Sequence, residues 1–107
     1  MDKERLLKVI EEEKGVLLYF QGEHCNVCHA LKPKLLDAFA RHFPQIERIV
    51  VDVASDADIA AHFGVFSIPT AIVFLGGKEF ARVGRNLSIP QLVDRIERPY
   101  NLLLSSS

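Results

Sequence analysis

The sequence predicts a single α/β domain in which helices flank a central four-stranded mixed sheet, in the order α-β-α-β-α-β-β-α. Val16 to Phe20 is an unbroken apolar run, which is typical of a central strand covered on both faces. Apolar residues then recur at the spacing of one helix face, at Leu31, Leu35, Phe39 and Phe43. Gly76-Gly77 between two strand-like runs predicts a hairpin. A strand, a helix and a strand in so short a chain imply a right-handed crossover between parallel strands.

The elements of the first half have recognisable beginnings and ends. Asp2 is placed to cap a first helix, and Lys14-Gly15 is placed to stop it. The apolar face of that helix consists of Leu6, Leu7, Val9 and Ile10. The strand from Val16 leads into a long second helix, which Pro44 ends. Ile46 to Val53 is the next predicted strand.

The second half begins with a short helix that Ser55-x-x-Asp58 caps and Gly64 closes. The two hairpin strands are Thr70 to Leu75 and Lys78 to Val83. Ser88, with Pro90 in the first turn, opens a last helix that we expect Pro99 to stop. This predicts one domain over residues 1–99 and a tail over residues 100–107.

Composition excludes several classes of function. The 107 residues carry a net charge of −1 and no long block of Lys or Arg, so nothing favours nucleic acid or an anionic membrane as a partner. No apolar run approaches the ~20 residues of a membrane span. The first five residues carry charges of both signs, unlike a secretory signal. We therefore expect a cytoplasmic monomer whose partners are proteins or small thiols.

The chain has two cysteines, both in Cys25-Asn26-Val27-Cys28-His29, and this motif is compatible with three chemistries. C-x-x-C-H is a haem-attachment sequence, C-x-x-C is a redox dithiol, and Cys with His can bind zinc. Haem is disfavoured because Met1 is the only methionine available as a second axial ligand. Zinc would need His24, Cys25, Cys28 and His29, all from one segment, whereas structural zinc sites usually draw on two. We therefore expect no metal.

The position of the cysteines favours redox chemistry. They lie where a buried strand gives way to a helix N-terminus, and the unpaired N–H groups there stabilise a thiolate at Cys25. Cys28, one turn later, is within reach of Cys25 and is expected to be less exposed. Cys25 would attack a disulfide and Cys28 would resolve the mixed disulfide. A non-catalytic binding or scaffold module with a vestigial C-x-x-C remains the alternative.

Over about residues 2 to 97 the chain resembles the thioredoxin family. The resemblance is carried by Phe20, Glu23-His24-Cys25-Asn26-Val27-Cys28, Pro33, the run Phe63-Gly64-Val65-Phe66-Ser67-Ile68-Pro69-Thr70, Gly76-Gly77-Lys78 and Val83-Gly84. It implies the thioredoxin fold, protein disulfide substrates, a thiol reductase as electron donor and no cofactor beyond a redox-active disulfide. It also implies a cis-proline at Pro69 facing the dithiol. Ile68, Pro69 and Thr70 would then bind an extended substrate segment, with the backbone of Ile68 pairing with it.

The chain also departs from the family pattern. The active-site turn His24-Cys25-Asn26-Val27-Cys28 lacks the usual Trp and Pro, and Tyr19 replaces the acidic residue usually buried beneath the second cysteine. A buried carboxylate would be the expected base for the resolving thiol. Without it, His24, His29 or water has to serve, and Tyr19 is expected to pack in the core. Phe66 is either a docking contact for substrate or a core residue. The expected direction of reaction is reduction of protein disulfides.

Overall fold

The computed structural model describes residues 1–105, and in that part of the chain the predicted order of helices and strands is confirmed. The helices are α1 (Lys3–Glu12), α2 (Asn26–His42), α3 (Ala57–His62) and α4 (Ile89–Ser105). The strands are β1 (Gly15–Gln21), β2 (Ile46–Asp52), β3 (Thr70–Leu75) and β4 (Lys78–Val83). Both hairpin strands have the predicted bounds. None of the helices described is long and apolar enough to cross a bilayer.

The strands form one mixed sheet in the order β2-β1-β3-β4. β1 runs parallel to β2, with Tyr19 opposite Val50, and antiparallel to β3, with Tyr19 opposite Ala71. β3 and β4 are antiparallel and are joined by Gly76 and Gly77, whose φ angles of 60° and 82° are the left-handed values that a two-residue hairpin requires. β1 is thus a central strand, and the predicted crossover between parallel strands is confirmed.

Each face of the sheet has its own apolar core. Leu17 and Tyr19 of β1 belong to the core under α2 and α4, whereas Leu18 and Phe20 belong to the core under α1 and α3. The first core also contains Leu35, Ala38, Phe39 and Phe43 with Leu92, Val93, Ile96 and Tyr100. Burying each large apolar side chain contributes roughly 1.5–3 kcal/mol relative to leaving it exposed. β1 is therefore held from both sides, and its end delivers the next turn to a fixed place.

Two predicted signals near helix ends are wrong in detail. The N-cap of α3 is Asp56, not Ser55, because the backbone N–H of Ser55 donates to the carboxylate of Asp52 (3.2 Å) and is held in the preceding turn. Gly64, with a φ of 66°, follows α3 as predicted. α1 ends at Glu12, and Gly15 belongs to β1, where an added Cβ would lie 2.8 Å from a side-chain carbon of Ile46. Gly15 thus permits close strand packing.

The largest difference is at the C-terminus, where the expectation that Pro99 stops the last helix is wrong. α4 continues through Pro99 to Ser105 and passes the boundary predicted at residue 99. Tyr100 is buried, its ring lies 5.0 Å from that of Phe43, and its hydroxyl accepts a hydrogen bond from the backbone N–H of Gln45 (3.1 Å). This packing offsets the roughly 3 kcal/mol that an interior proline costs a helix. Residues 106–107 of the predicted tail lie outside the described residues.

Candidate functional site

The two cysteines lie in a tight turn directly after β1. The carbonyl of Gly22 accepts a hydrogen bond from the backbone N–H of Cys25 (3.3 Å). Gly22 is buried, and an added Cβ would lie 2.7 Å from Cδ1 of Ile68, so the tip of the Ile68 side chain would have to shift to make room. The turn and the loop that precedes β3 are therefore in direct contact. No pattern along the chain predicted this role of Gly22.

Cys25 and Cys28 are joined in a disulfide, with their Cα atoms 5.2 Å apart. Cys25 is the N-cap of α2, and its sulfur accepts a hydrogen bond from the backbone N–H of Cys28 (3.1 Å). Cys25 is partly exposed, whereas Cys28 is fully buried. The predicted position at a helix N-terminus and the predicted difference in exposure are both confirmed. Backbone N–H groups at this position favour negative charge on the Cys25 sulfur.

The loop before β3 brings Ile68 against this turn, and Pro69 and Thr70 follow at the start of β3. The Ile68–Pro69 peptide bond is cis, as the resemblance implies. Pro69 and Thr70 are buried, and the Thr70 hydroxyl donates to the carbonyl of Ser67 (2.7 Å). Because that hydroxyl is used within the loop, Thr70 holds the loop in shape. Ile68 is half-buried against Gly22.

Tyr19 lies beneath the dithiol and does more than the predicted core packing. Its side chain is fully buried, and its hydroxyl donates a hydrogen bond to the carbonyl of Cys28 (2.7 Å). Burial raises the pKa of Tyr19 above its ordinary value of 10.0. The phenol is therefore protonated at neutral pH and is a donor, not a base. The sequence signal for this contact was a lone polar atom in an otherwise apolar central strand.

The side chains around the cysteines are largely exposed, including His24, Asn26 and Val27. His29 is exposed, but its Nε2 also lies 2.9 Å from the carbonyl oxygen of Glu23. A carbonyl can only accept, so Nε2 carries the proton in this contact. The ring thus links the first turn of α2 to the residues before Cys25. Sequence reasoning missed this contact.

Phe66 is 94% exposed, so the alternative that it packs in the core is wrong. Beside it lies an open groove of about 280 Å³ between the loop before β3 and the end of β4. Phe66, Ser67 and Thr70 line one side, and Arg82, Val83 and Gly84 line the other. An exposed aromatic ring two residues from Ile68 is suited to contact another molecule.

Outside the dithiol, two acidic residues at the end of β2 and just after it bond to backbone groups of the chain. The carboxylate of Asp52 accepts from the backbone N–H of Ala54 (2.9 Å), and Asp56 pairs with the amino group of Met1 (3.2 Å). Among residues 1–105, no group of three or more His, Cys, Asp and Glu side chains lies close enough together to hold a metal ion. The two sulfurs that zinc would require are bonded to each other.

Comparisons with known proteins agree with this geometry. The thioredoxin family model matches residues 2–98. The chain is 32% identical over 93 residues to the thioredoxin-like protein YdfQ of Bacillus subtilis, covering 87% of this chain and 82% of that protein. It is 39% identical over 70 residues to a thioredoxin of Streptomyces clavuligerus, covering 65% and 64% of the two chains.

Solved structures show the same fold. Thioredoxin 1 of Thermosipho africanus aligns with a TM-score of 0.72 at 32% identity, covering 86% of this chain and 99% of that chain. An N21Q mutant thioredoxin of Halobacterium salinarum aligns with a TM-score of 0.79, covering 94% and 86% of the two chains. At 23% identity, the second likeness is one of fold alone.

Proposed function

Because this chain belongs to the thioredoxin family and is a thiol–disulfide oxidoreductase, we propose that it reduces disulfides of partner proteins, with Cys25 as the attacking thiolate and Cys28 as the resolving thiol. The observation that carries this assignment is the unequal burial of the two cysteines that form the disulfide, Cys25 being partly exposed and Cys28 fully buried. Cys25 is open to a partner at the helix N-terminus, whereas Cys28 is enclosed and can reach only Cys25.

In the first step, the Cys25 thiolate of the reduced protein attacks one sulfur of the substrate disulfide. A bond forms between Cys25 and that sulfur, and the electron pair of the broken S–S bond leaves with the other substrate sulfur as a thiolate. The backbone N–H of Cys28, which donates to Cys25 Sγ in the structure, stabilises the attacking thiolate. The product is a mixed disulfide.

In the second step, Cys28 loses its proton and attacks the Cys25 sulfur. The mixed disulfide breaks, the substrate leaves with both sulfurs reduced, and the Cys25–Cys28 disulfide forms. Two electrons have then passed from the protein to its substrate. Tyr19 does not accept the Cys28 proton, because its raised pKa keeps the phenol protonated. The acceptor is water, His24, or Nδ1 of neutral His29, whose Nε2 proton is directed to Glu23.

The substrate segment docks along the loop before β3, and the backbone of Ile68 pairs with it. This proposal is supported by the side chain of Ile68, which lies against Gly22 in the turn before Cys25. Pro69 and Thr70 keep the loop in shape, and the exposed ring of Phe66 contacts an apolar side chain near the substrate cysteine. His24, Asn26 and Val27 form the opposite side of the approach.

The reaction needs a supply of electrons, and we assign that role to a separate thiol reductase that reduces the Cys25–Cys28 disulfide after each turnover. The disulfide is the redox group, and no other cofactor takes part. The protein works as a monomer in the cytoplasm, in cell redox homeostasis and electron transport. Its partners are proteins, not nucleic acid or membranes, consistent with its net charge of −1.

The test compares wild-type protein with Cys25→Ser and Cys28→Ser in dithiothreitol-dependent insulin reduction. We expect Cys25→Ser to lower turnover to the background rate, and Cys28→Ser to trap a mixed disulfide visible by intact mass. Unchanged turnover in Cys25→Ser would contradict its assignment. Wild-type protein no faster than background would instead indicate a non-catalytic binding module.

The direction of the reaction requires a separate measurement, namely the reduction potential in glutathione and dithiothreitol buffers. A potential near roughly −270 mV would support a reductant, whereas roughly −120 to −180 mV would mark an oxidant or isomerase.

A further inference from the structure

A chain of two hydrogen bonds connects the core of the protein to the Cys25 sulfur. The Tyr19 hydroxyl donates to the carbonyl of Cys28 (2.7 Å), and the backbone N–H of Cys28 donates to Cys25 Sγ (3.1 Å). The carbonyl and the N–H flank the same Cα atom, so fixing one restricts the direction of the other. Tyr19 is the fixed end, because it is fully buried in the central strand β1.

We propose that Tyr19 is a positioning residue for the attacking thiolate. By holding the Cys28 carbonyl, it keeps the Cys28 N–H directed at Cys25 and so stabilises negative charge on that sulfur. The proposal rests on the role of Cys25 as the attacking group. Tyr19 acts through Cys28 and contacts neither the substrate nor the Cys25 sulfur.

The chemistry of the two contacts supports this role. A hydrogen bond from a backbone N–H to an ionised sulfur is stronger than one between neutral groups, and its strength depends steeply on alignment. A buried phenol is a rigid donor, because its ring is packed on all sides and its proton has an acceptor at 2.7 Å. The burial that raises its pKa also prevents it from acting as a proton acceptor. The phenol therefore serves geometry, not proton transfer.

Three other titratable side chains belong to the turn or to the first turn of α2, namely Glu23, His24 and His29. His29 reaches the Glu23 carbonyl, while His24 neighbours Cys25 in sequence. A change confined to the Tyr19 hydroxyl leaves these three groups in place. The difference between variant and wild type therefore isolates the effect of Tyr19.

The chain offers a matched control, because its other tyrosine is also buried and also bonded to backbone. The Tyr100 hydroxyl accepts from the N–H of Gln45 (3.1 Å) at the opposite end of α2. The experiment compares Tyr19→Phe and Tyr100→Phe by urea unfolding and by the pH dependence of thiolate absorbance and iodoacetamide alkylation. Both variants remove one oxygen atom from a buried ring.

We expect Tyr19→Phe to raise the pKa of the Cys25 thiol by roughly 0.3 to 1 unit, which is a two- to tenfold shift in its ionisation equilibrium. Tyr100→Phe should leave that pKa at the wild-type value while losing a similar amount of stability. A folded Tyr19→Phe protein with a wild-type thiol pKa would overturn the proposal. A loss of stability alone would indicate a merely structural role.

A second measurement needs no variant and covers the case in which Tyr19→Phe fails to fold. In reduced wild-type protein, the NMR shift of the Cys28 amide should titrate with the same midpoint as the Cys25 thiolate. An amide shift that does not follow the thiolate would overturn the proposal. Failure of the proposed function has a different signature, since wild-type protein would then lack insulin reduction whatever the thiol pKa.

Discussion

The two ends of α2 differ in what surrounds them. At its N-terminus, backbone groups of the first turn bond to the Cys25 sulfur and the Tyr19 hydroxyl, and one sulfur stays open to solvent. At its C-terminus, the ring of Phe43 packs edge-to-face against Phe39 and Tyr100, with centroids 5.3 and 5.0 Å away. The first end has polar contacts at a reactive group, and the second has aromatic contacts.

This difference teaches that one helix can be anchored at one end and reactive at the other. Edge-to-face aromatic pairs add about 0.5–1.5 kcal/mol each beyond the area that they bury. That contribution is located where no chemistry takes place. We therefore expect changes at the aromatic end to alter the free energy of unfolding, and changes at the dithiol end to alter the thiol chemistry more than the stability.

The largest expected effect is at the aromatic end. Phe43→Ala should lower the free energy of unfolding by about 3–5 kcal/mol, because Phe43 is 1% exposed and two ring contacts are lost. Urea unfolding measures this loss, and Phe80→Ala, at a 39% exposed ring, should lose much less. The reduction potential of folded Phe43→Ala should match that of wild type. A large shift in potential would mean that the two ends are not independent.

A smaller loss of stability with a larger loss of activity is expected for Gly22→Ala at the dithiol end. The new Cβ would lie 2.7 Å from Ile68 Cδ1, which has to move. Because Cδ1 is the far end of a flexible side chain, it can shift at modest cost, so we expect less than about 1 kcal/mol of destabilisation and roughly a two- to threefold fall in kcat/KM for insulin reduction, since the Ile68 side chain in the loop before β3 is moved.

The control for this variant removes the atom that clashes. Ile68→Val lacks Cδ1, so Gly22→Ala combined with Ile68→Val should recover most of the lost kcat/KM, while Ile68→Val alone should be close to wild type. If the double variant were no better than Gly22→Ala, the contact between turn and loop would not be the cause of the loss.

Replacing Phe66 should affect only the encounter with substrate. Because the ring is 94% exposed, Phe66→Ala should leave the free energy of unfolding within about 0.5 kcal/mol of wild type. KM for a protein disulfide should rise roughly three- to tenfold, as expected when an apolar contact worth about 1 kcal/mol is lost. Leu102→Ala, at a 60% exposed position on α4, is the control and should leave KM unchanged. Equal effects of both variants would contradict a docking role for Phe66.

The smallest effect lies away from α2 and provides a baseline. A hydrogen bond from Arg82 (Nη2 to Oε1, 2.8 Å) lowers the pKa of Glu79 below its ordinary value of 4.5. A lowered pKa in the folded state adds stability above pH 4.5, and this is lost as the pH falls through the folded-state pKa. Since the pair is exposed, Arg82→Gln should reduce this acid-dependent loss of stability by only a few tenths of a kcal/mol. Urea unfolding between roughly pH 5 and 3 measures how the free energy of unfolding falls with pH. If Arg82→Gln left that pH dependence unchanged, the pair would not be its source.

Most of the fold could be predicted from the sequence, because local signals agreed with long-range packing. The apolar run at Val16 and the Gly76-Gly77 pair specify their elements almost alone. Pro99 misled the prediction because its signal is local, whereas α4 is maintained by the distant partners of Tyr100. Tertiary packing of this kind is not visible in a short window of sequence.

The site was predictable in its residues but less so in its contacts. Spacing and the helix N-terminus identified the Cys25–Cys28 pair, and the resemblance to the thioredoxin family implied that the loop at Pro69 lies beside it. The bond from Tyr19 to the Cys28 carbonyl and that from His29 to the Glu23 carbonyl depend on side-chain directions in three dimensions. No pattern along the chain encodes those directions.

The contact between Gly22 and Ile68 also bears on how a finished substrate departs. Gly22 lies three residues before Cys25, and its carbonyl accepts a hydrogen bond from the Cys25 N–H. Opening or closing the Cys25–Cys28 disulfide therefore acts on the short segment that begins at Gly22. With no side chain between them, Ile68 touches that segment directly. We therefore expect the contact between a bound substrate and the loop before β3 to depend on whether the disulfide is closed.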